Sequence, residues 1–82
     1  NIRFDHMVDR AIKMAEMKAA HMDRTEFQGA GEFLESGEWA GAEIVIDPGD
    51  FGIEPCAYIL GRTAVEVVKK AQRILKFIKT DN

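Results

Sequence analysis

The sequence predicts an α/β chain, read from three stretches: helical periodicity over residues 4 to 22, a strand-like run from Ala42 to Ile46 (AEIVI), and a capped amphipathic helix over about 64 to 79. Their order is helix, loop, strand, turn, helix, with no internal repeat and no low-complexity tract. One strand is not a sheet. A strand buried on both faces needs neighbours for its N–H and C=O groups. Either residues 53 to 60 supply one, or the sheet is incomplete in this chain and completed by a partner.

In the first stretch Phe4, Val8, Ala11, Ala15, Ala19 and Met22 recur every three or four residues, with Met7 and Met14 on the same side. Asp5 is an early-turn acid, and no Gly or Pro interrupts the run before Gly29. Met7, Met14, Met17 and Met22 read as core filler at helical spacing, with an adaptable binding surface as the other reading.

Residues 25 to 41 hold Gly29, Gly31, Gly37 and Gly41 around a short amphipathic piece, Glu32 to Leu34. They predict a loop containing one helical turn, pinned by Phe27, Phe33, Leu34 and Trp39, because a fully solvated loop has no use for so much aromatic surface. A lid over a pocket is the functional alternative.

Ala42 to Ile46 is β-branched and almost continuously apolar, the pattern of an interior strand. Pro48 pushes Asp47 toward extended backbone, and Pro48-Gly49 suits the centre of a type II turn within residues 47 to 52. Pro55 restricts any helix in the apolar stretch Ile53 to Leu60, and Gly61 breaks the chain. Thr63-Ala64-Val65-Glu66 then fits a capping box opening the last helix. Its apolar stripe reads as Ala64, Val68, Ala71, Leu75 and Ile78, with Val67, Ile74 and Phe77 beside it.

With 82 residues the chain makes one domain at most, 1–82, or the C-terminal fragment of something longer, a reading that the Asn1 start favours. A hydrophobic fraction of 46% with 30% charged residues is too apolar for a disordered chain. No apolar run nears the roughly 18 residues of a membrane span, and Asn1 to Val8 lacks the order of a secretory signal. Cys56 is the one cysteine, which excludes an internal disulfide and multi-cysteine metal sites and allows a cytoplasmic location. Residues 1 to 58 carry a net charge of −7 and residues 59 to 82 a net charge of +4. The basic residues Lys69, Lys70, Arg73, Lys76 and Lys79 lie on the back of the last helix, so they read as a solvated face, and no nucleic-acid partner is expected.

Chemistry is sparse. His6 and His21 on one straight helix would stand roughly 22 Å apart at 1.5 Å per residue, too far to share a metal, and His6 with Asp9 lacks a third ligand. Asp47 and Asp50 flank the Pro-Gly turn and read as turn-capping residues before they read as an acid–base or cation pair. Cys56 in an apolar stretch reads as an inert thiol. Ser36 in Glu35-Ser36-Gly37 is no nucleophile elbow, and Gly29-Ala30-Gly31 is no phosphate loop. No catalytic, cofactor-binding or metal-binding residue is assigned, and no cofactor.

The helix over 4 to 22, the run Ala42 to Gly52 (AEIVIDPGDFG) and Gly61 to Ala71 (GRTAVEVVKKA) together resemble the C-terminal portion of bacterial patatin-like phospholipases, over about half the chain. The aromatic that usually follows the helix-opening glycine there is Arg62 here, and the Asp-Phe pair expected after the turn is Glu54-Pro55. The resemblance implies a helix–loop–strand–turn–helix portion of a three-layer α/β/α fold. It also implies a structural part of a serine lipid acyl hydrolase acting on fatty-acyl esters, with its Ser-Asp dyad and oxyanion hole upstream. The partner it implies is an upstream polypeptide or second chain that completes the sheet. The rival expectation is a small non-enzymatic interaction module that binds a partner or a second copy.

Overall fold

The computed structural model describes residues 1–79, apart from the Lys79 side chain. Four strands form one sheet: β1 (Ile2–Arg3), β2 (Ala19–His21), β3 (Ile44–Asp47) and β4 (Cys56–Ile59), in spatial order β1-β4-β3-β2. Three helices accompany them, α1 (His6–Met14), α2 (Ala30–Ser36) and α3 (Ala64–Lys79). The α/β prediction stands, and the sheet it lacked comes from the chain itself. Residues 53 to 60 supply β4, while β1 and β2 come from stretches outside the predicted strand.

β2 runs parallel to β3, whereas β4 is antiparallel to both β3 and β1. β1, β2 and β3 therefore end on the same side of the molecule. The crossover from β1 to β2 traverses the sheet in one direction and that from β2 to β3 returns, so two crossovers of the same hand put α1 and α2 on opposite faces. α3 packs beside α1.

Strand alternation divides the core. Ile44, Ile46 and Ala57 face α1 and α3, where they meet Val8, Ala11, Ile12, Met17 and Ile74. Val45 faces the other way and packs with Met22 and Phe33, covered by Phe27, Trp39 and Tyr58. β3 is buried at every position, as its apolar run requires, although it starts at Ile44 and includes Asp47.

The first helix is shorter than the periodicity over 4 to 22 indicates. Asp5 is its N-cap, accepting from the Val8 amide at 2.9 Å, and the helix closes after Met14 in a Schellman motif. The Glu16 amide donates to Lys13 O at 3.0 Å and the Met17 amide to Ile12 O at 3.2 Å, with Glu16 at φ 55°. Glycine normally takes that left-handed position, so a glutamate there hides the stop. The spacing of Ala19 and Met22 then looks helical although both belong to an extended segment. Of the four methionines, Met17 and Met22 are buried, while Met7 and Met14 are half exposed. Glu16→Gly is expected to relieve the left-handed strain and stabilise the protein by roughly 0.5–1 kcal/mol. The readout is a higher urea midpoint at unchanged m-value; an unchanged midpoint would mean that Glu16 is unstrained.

α2 is longer than the single turn expected within residues 25 to 41. It is closed by Gly37 at φ 78°, and the segment is anchored by an edge-to-face pair, Phe27 and Phe33, with ring centroids 5.1 Å apart. Trp39 Nε1 donates to Leu34 O at 2.6 Å. In α3 the Glu66 amide donates to Thr63 Oγ1 at 3.1 Å, and the Glu66 carboxylate accepts from the Arg62 amide at 3.4 Å. The α3 stripe is rotated from its predicted position: Ile74 is buried with Phe77 and Ile78 packed beside it, while Val68 and Leu75 are half exposed. Two of the basic residues are not simply solvated. Lys70 Nζ donates to Leu60 O at 2.5 Å, and Arg73 Nη2 donates to Ala15 O at 2.7 Å, which ties α3 to the end of α1. Lys69 and Lys76 are exposed, and the Lys79 side chain lies outside the described residues.

Candidate functional site

Three strand ends converge on one edge of the sheet, and the chain leaves it in different directions. β1 leads to α1 on one face and β2 leads toward α2 on the other. The space above such parted carboxyl ends is where open α/β sheets take their ligands. The last row of residues at this edge is set by strand register. Arg3 lies opposite Cys56, and Cys56 lies opposite Asp47. Directly opposed residues of antiparallel strands project to the same face, so Arg3, Cys56 and Asp47 form a row on the α2 side, with Tyr58 one row behind, beside Val45.

Asp47 is 2% exposed yet charged, which requires a partner. Arg24, three residues beyond β2, supplies it as a two-pronged pair. Nε donates to Oδ1 at 2.9 Å and Nη2 to Oδ2 at 2.5 Å. Oδ1 also accepts from the Gly49 amide at 2.9 Å, and Arg24 Nη1 donates to Gln28 O. Burial pushes the Asp47 carboxyl up; the Arg24 hydrogen bonds, the Gly49 amide and the Arg24 charge outweigh it and hold the group below its ordinary value. The Asp47 hydrogen bond raises Arg24 in turn, with a smaller contribution from the Asp50 charge. This pair locks the end of β3 to the segment that leads into α2.

Next to it, Arg3, Glu54, Pro55, Cys56 and Tyr58 line a cleft of about 330 Å³ between β1 and β4. Burial, with Cys56 alongside, pushes the Tyr58 hydroxyl up. Arg3 and Glu54 are exposed, so a basic and an acidic group stand open to solvent beside the braced pair. At the opposite end of the sheet a larger cleft of about 610 Å³ lies between Trp39, Gly61, Arg62, Glu66 and Lys70. Two of its charges are occupied, Lys70 pairing with Glu66 at 3.3 Å and with the Leu60 carbonyl, while Arg62 is exposed.

Each residue weighed for chemistry now has a place. The chain reverses after Glu16, so His6 and His21, expected far apart on one helix, line the same cleft of about 470 Å³ on the α1 side with Asp9 and Lys13. Asp9 is paired with Lys13 at 3.0 Å, and among the described residues no group of three or more His, Cys, Asp or Glu side chains is placed to hold a metal ion. Asp50 does cap its turn, accepting from the Phe51 amide at 2.8 Å. Asp47 caps Gly49, but its main partner is Arg24, which sequence spacing did not link to it. Cys56 is half-buried and registered against an arginine, not sealed in an apolar core. Ser36 holds the end of α2 through Phe33 O at 2.6 Å, and Gly29 caps its start. Arg3 and Arg24 were missed; the available signal was an arginine closing one short extended segment and another three residues past a second.

Fold and site define a layered α/β protein with an arginine- and carboxylate-bearing edge at the carboxyl ends of its parallel strands. The chain belongs to the thiamine-phosphate synthase ThiN family, whose model matches residues 1–73. No curated protein and no solved structure matches it significantly. The family match overturns the resemblance to patatin-like phospholipases, and with it the lipid acyl hydrolase activity and the fatty-acyl ester partner. A β-branched strand, a Pro- and Asp-containing turn and a capped helix recur wherever a buried strand must stop and a helix must start. Those features carried the resemblance without a nucleophile. The interaction-module alternative gains no support from the match either. Among the described residues no helix is long and apolar enough to cross a membrane.

Proposed function

We propose that this chain contributes the carboxyl-edge site of a thiamine-phosphate synthase. The observation that carries the reading is the family match over residues 1–73, and the chemistry of the edge supports it. Thiamine phosphate joins a phosphate monoester, a permanently cationic thiazolium ring and an aminopyrimidine. Its synthesis creates positive charge on the thiazole as the ring nitrogen's lone pair bonds to the pyrimidine's methylene carbon and the bond from that carbon to its diphosphate leaving group breaks, the diphosphate departing with the electron pair. A synthase has to hold the phosphate and stabilise that charge in the transition state.

Arg3 suits the first task. Its planar guanidinium matches phosphate oxygens, it opens into the cleft between β1 and β4, and Arg24 is already committed to Asp47. Glu54, in the same cleft, offers a carboxylate toward developing positive charge. Asp47 and Arg24 are positioning residues that hold the strand ends in place. Further sheet partners would add at the edge strands β1 and β2, as an upstream segment or a second chain. A cytoplasmic setting would keep the Cys56 thiol reduced.

Titration calorimetry with thiamine phosphate and unphosphorylated thiamine tests the assignment. The wild type is expected to prefer the phosphate ester, and Arg3→Ala to lose about tenfold or more in affinity for it while binding thiamine nearly as before. A wild-type protein with no preference between the two ligands would sink the reading.

A further inference from the structure

Among the described residues, the other exposed large apolar side chains keep between 36% and 64% of their surface in water, whereas Phe51 keeps 100%. The backbone beneath it is braced. The Asp50 amide donates to Ile53 O at 3.0 Å and the Ile53 amide to Asp50 O at 2.8 Å, closing a turn with Phe51 and Gly52 at its centre. Gly52 at φ 77° after a residue of negative φ is the type II arrangement. Asp50 Oδ1 accepts the Phe51 amide at 2.8 Å. Gly49, at φ 82°, packs so closely on the Ile53 carbonyl and the Pro55 nitrogen that a Cβ would lie 2.6 and 2.9 Å from them. An aromatic ring is thus held in water on a fixed support.

The support stands at the site. The turn follows directly on Asp47, whose side chain holds the Gly49 amide. The Asp50 charge acts on Arg24, and the chain then runs through Glu54 and Pro55 into the cleft that Arg3 lines. An exposed aromatic face next to carboxylates suits a flat cation, which is drawn to the ring quadrupole and to the negative charges beside it.

We propose that Phe51 is a specificity-determining residue of this edge, taking the cationic thiazolium ring of thiamine phosphate against its face while Asp50 and Glu54 supply the neighbouring negative charge. This inference rests on the synthase reading and adds to it the residue that distinguishes a charged flat ring from other phosphate esters.

The test compares wild type, Phe51→Ala, Phe51→Leu and Phe51→Trp by titration calorimetry with thiamine phosphate, with the neutral phosphorylated thiazole as second ligand. Because the side chain touches nothing in the fold, all four proteins are expected to melt together. Phe51→Ala and Phe51→Leu should bind thiamine phosphate about five- to thirtyfold more weakly, Phe51→Trp should bind it as well as wild type or better, and the neutral thiazole phosphate should lose much less. Wild-type affinity in Phe51→Ala overturns the inference alone, as does wild-type affinity in Phe51→Leu, which would reduce the contact to simple apolar cover. A dimeric wild type that becomes monomeric in Phe51→Ala with unchanged affinity overturns it too and assigns Phe51 to a contact between copies. A wild type that binds no thiamine phosphate removes the synthase reading and this inference with it.

Discussion

Asp47→Ala is expected to cost about 3 kcal/mol, because it leaves the Arg24 guanidinium, 13% exposed, without its counter-charge. In a chain of 82 residues that loss is a large share of the total stability. The comparison variant is the double substitution Arg24→Leu with Asp47→Leu, which removes both charges and should recover most of the stability while leaving the site without its brace. Urea denaturation at neutral pH measures both. A single-variant loss below about 1 kcal/mol would class the pair with surface ion pairs.

The same carboxylate gives the effect a pH dependence. Its folded value is depressed, so its contribution is fully present above the unfolded aspartate value of about 3.9. It fades as the pH falls through the lower folded value. The stability gap between wild type and Asp47→Ala should therefore be widest at neutral pH and close in acid. A gap that stayed constant down to about pH 2 would mean that the carboxylate is not held below its ordinary range.

Gly49→Ala is the second substitution with a large expected effect. Its Cβ would meet two backbone atoms, Ile53 O at 2.6 Å and Pro55 N at 2.9 Å, and its φ of 82° is unfavourable for any side chain. Neither neighbour can rotate away, so the turn must shift, at a cost of about 2–3 kcal/mol. Gly52 is the control. Its φ of 77° carries the same conformational penalty, but nothing lies within 4 Å of its Cβ position, and Gly52→Ala should cost only about 1 kcal/mol. Equal losses for the two variants would show that close approach at Gly49 contributes nothing. With Phe51 in the role proposed for it, Gly49→Ala should also weaken thiamine phosphate binding, since the displaced turn carries that residue.

Much of the fold was readable locally. The buried strand showed itself because β-branched residues without polar interruption have no other economical place, and the Thr63 cap has a local chemical cause; the turn expected at Pro48-Gly49 forms instead at Phe51-Gly52, where the Ile53 amide donates to Asp50 O. The reversal at Glu16 was not readable, because the Schellman bonds that end α1 are backbone bonds and the residue in the left-handed position is not glycine. With that stop hidden, β2 merged into the helix, and His6 and His21 were placed far apart although they share a cleft. The rotation of α3 was equally hidden. Ala64, Val68 and Leu75 make as good a stripe on paper as Val67, Ile74 and Phe77, and only the surface offered by α1 and the sheet chooses between them.

The site was less legible than the fold. Asp47 could be read as a turn residue but not as a buried charge, since its partner Arg24 lies 23 positions away and meets it only when β2 lies parallel beside β3. Arg3 carried no signal until β1 was registered against β4. By itself the sequence determined the local pieces: where the interior strand and last helix lie, and which aromatics pin the middle segment, whereas Leu34, expected to pin it with them, is exposed. These depend on torsional preference, periodicity and caps, which act over a few residues. The tertiary structure alone decided the number of strands, the face each helix buries, and the assembly of Arg3, Arg24, Asp47 and Glu54 at one edge. Strand register and charge pairing are contacts between distant residues, and local preference does not encode them.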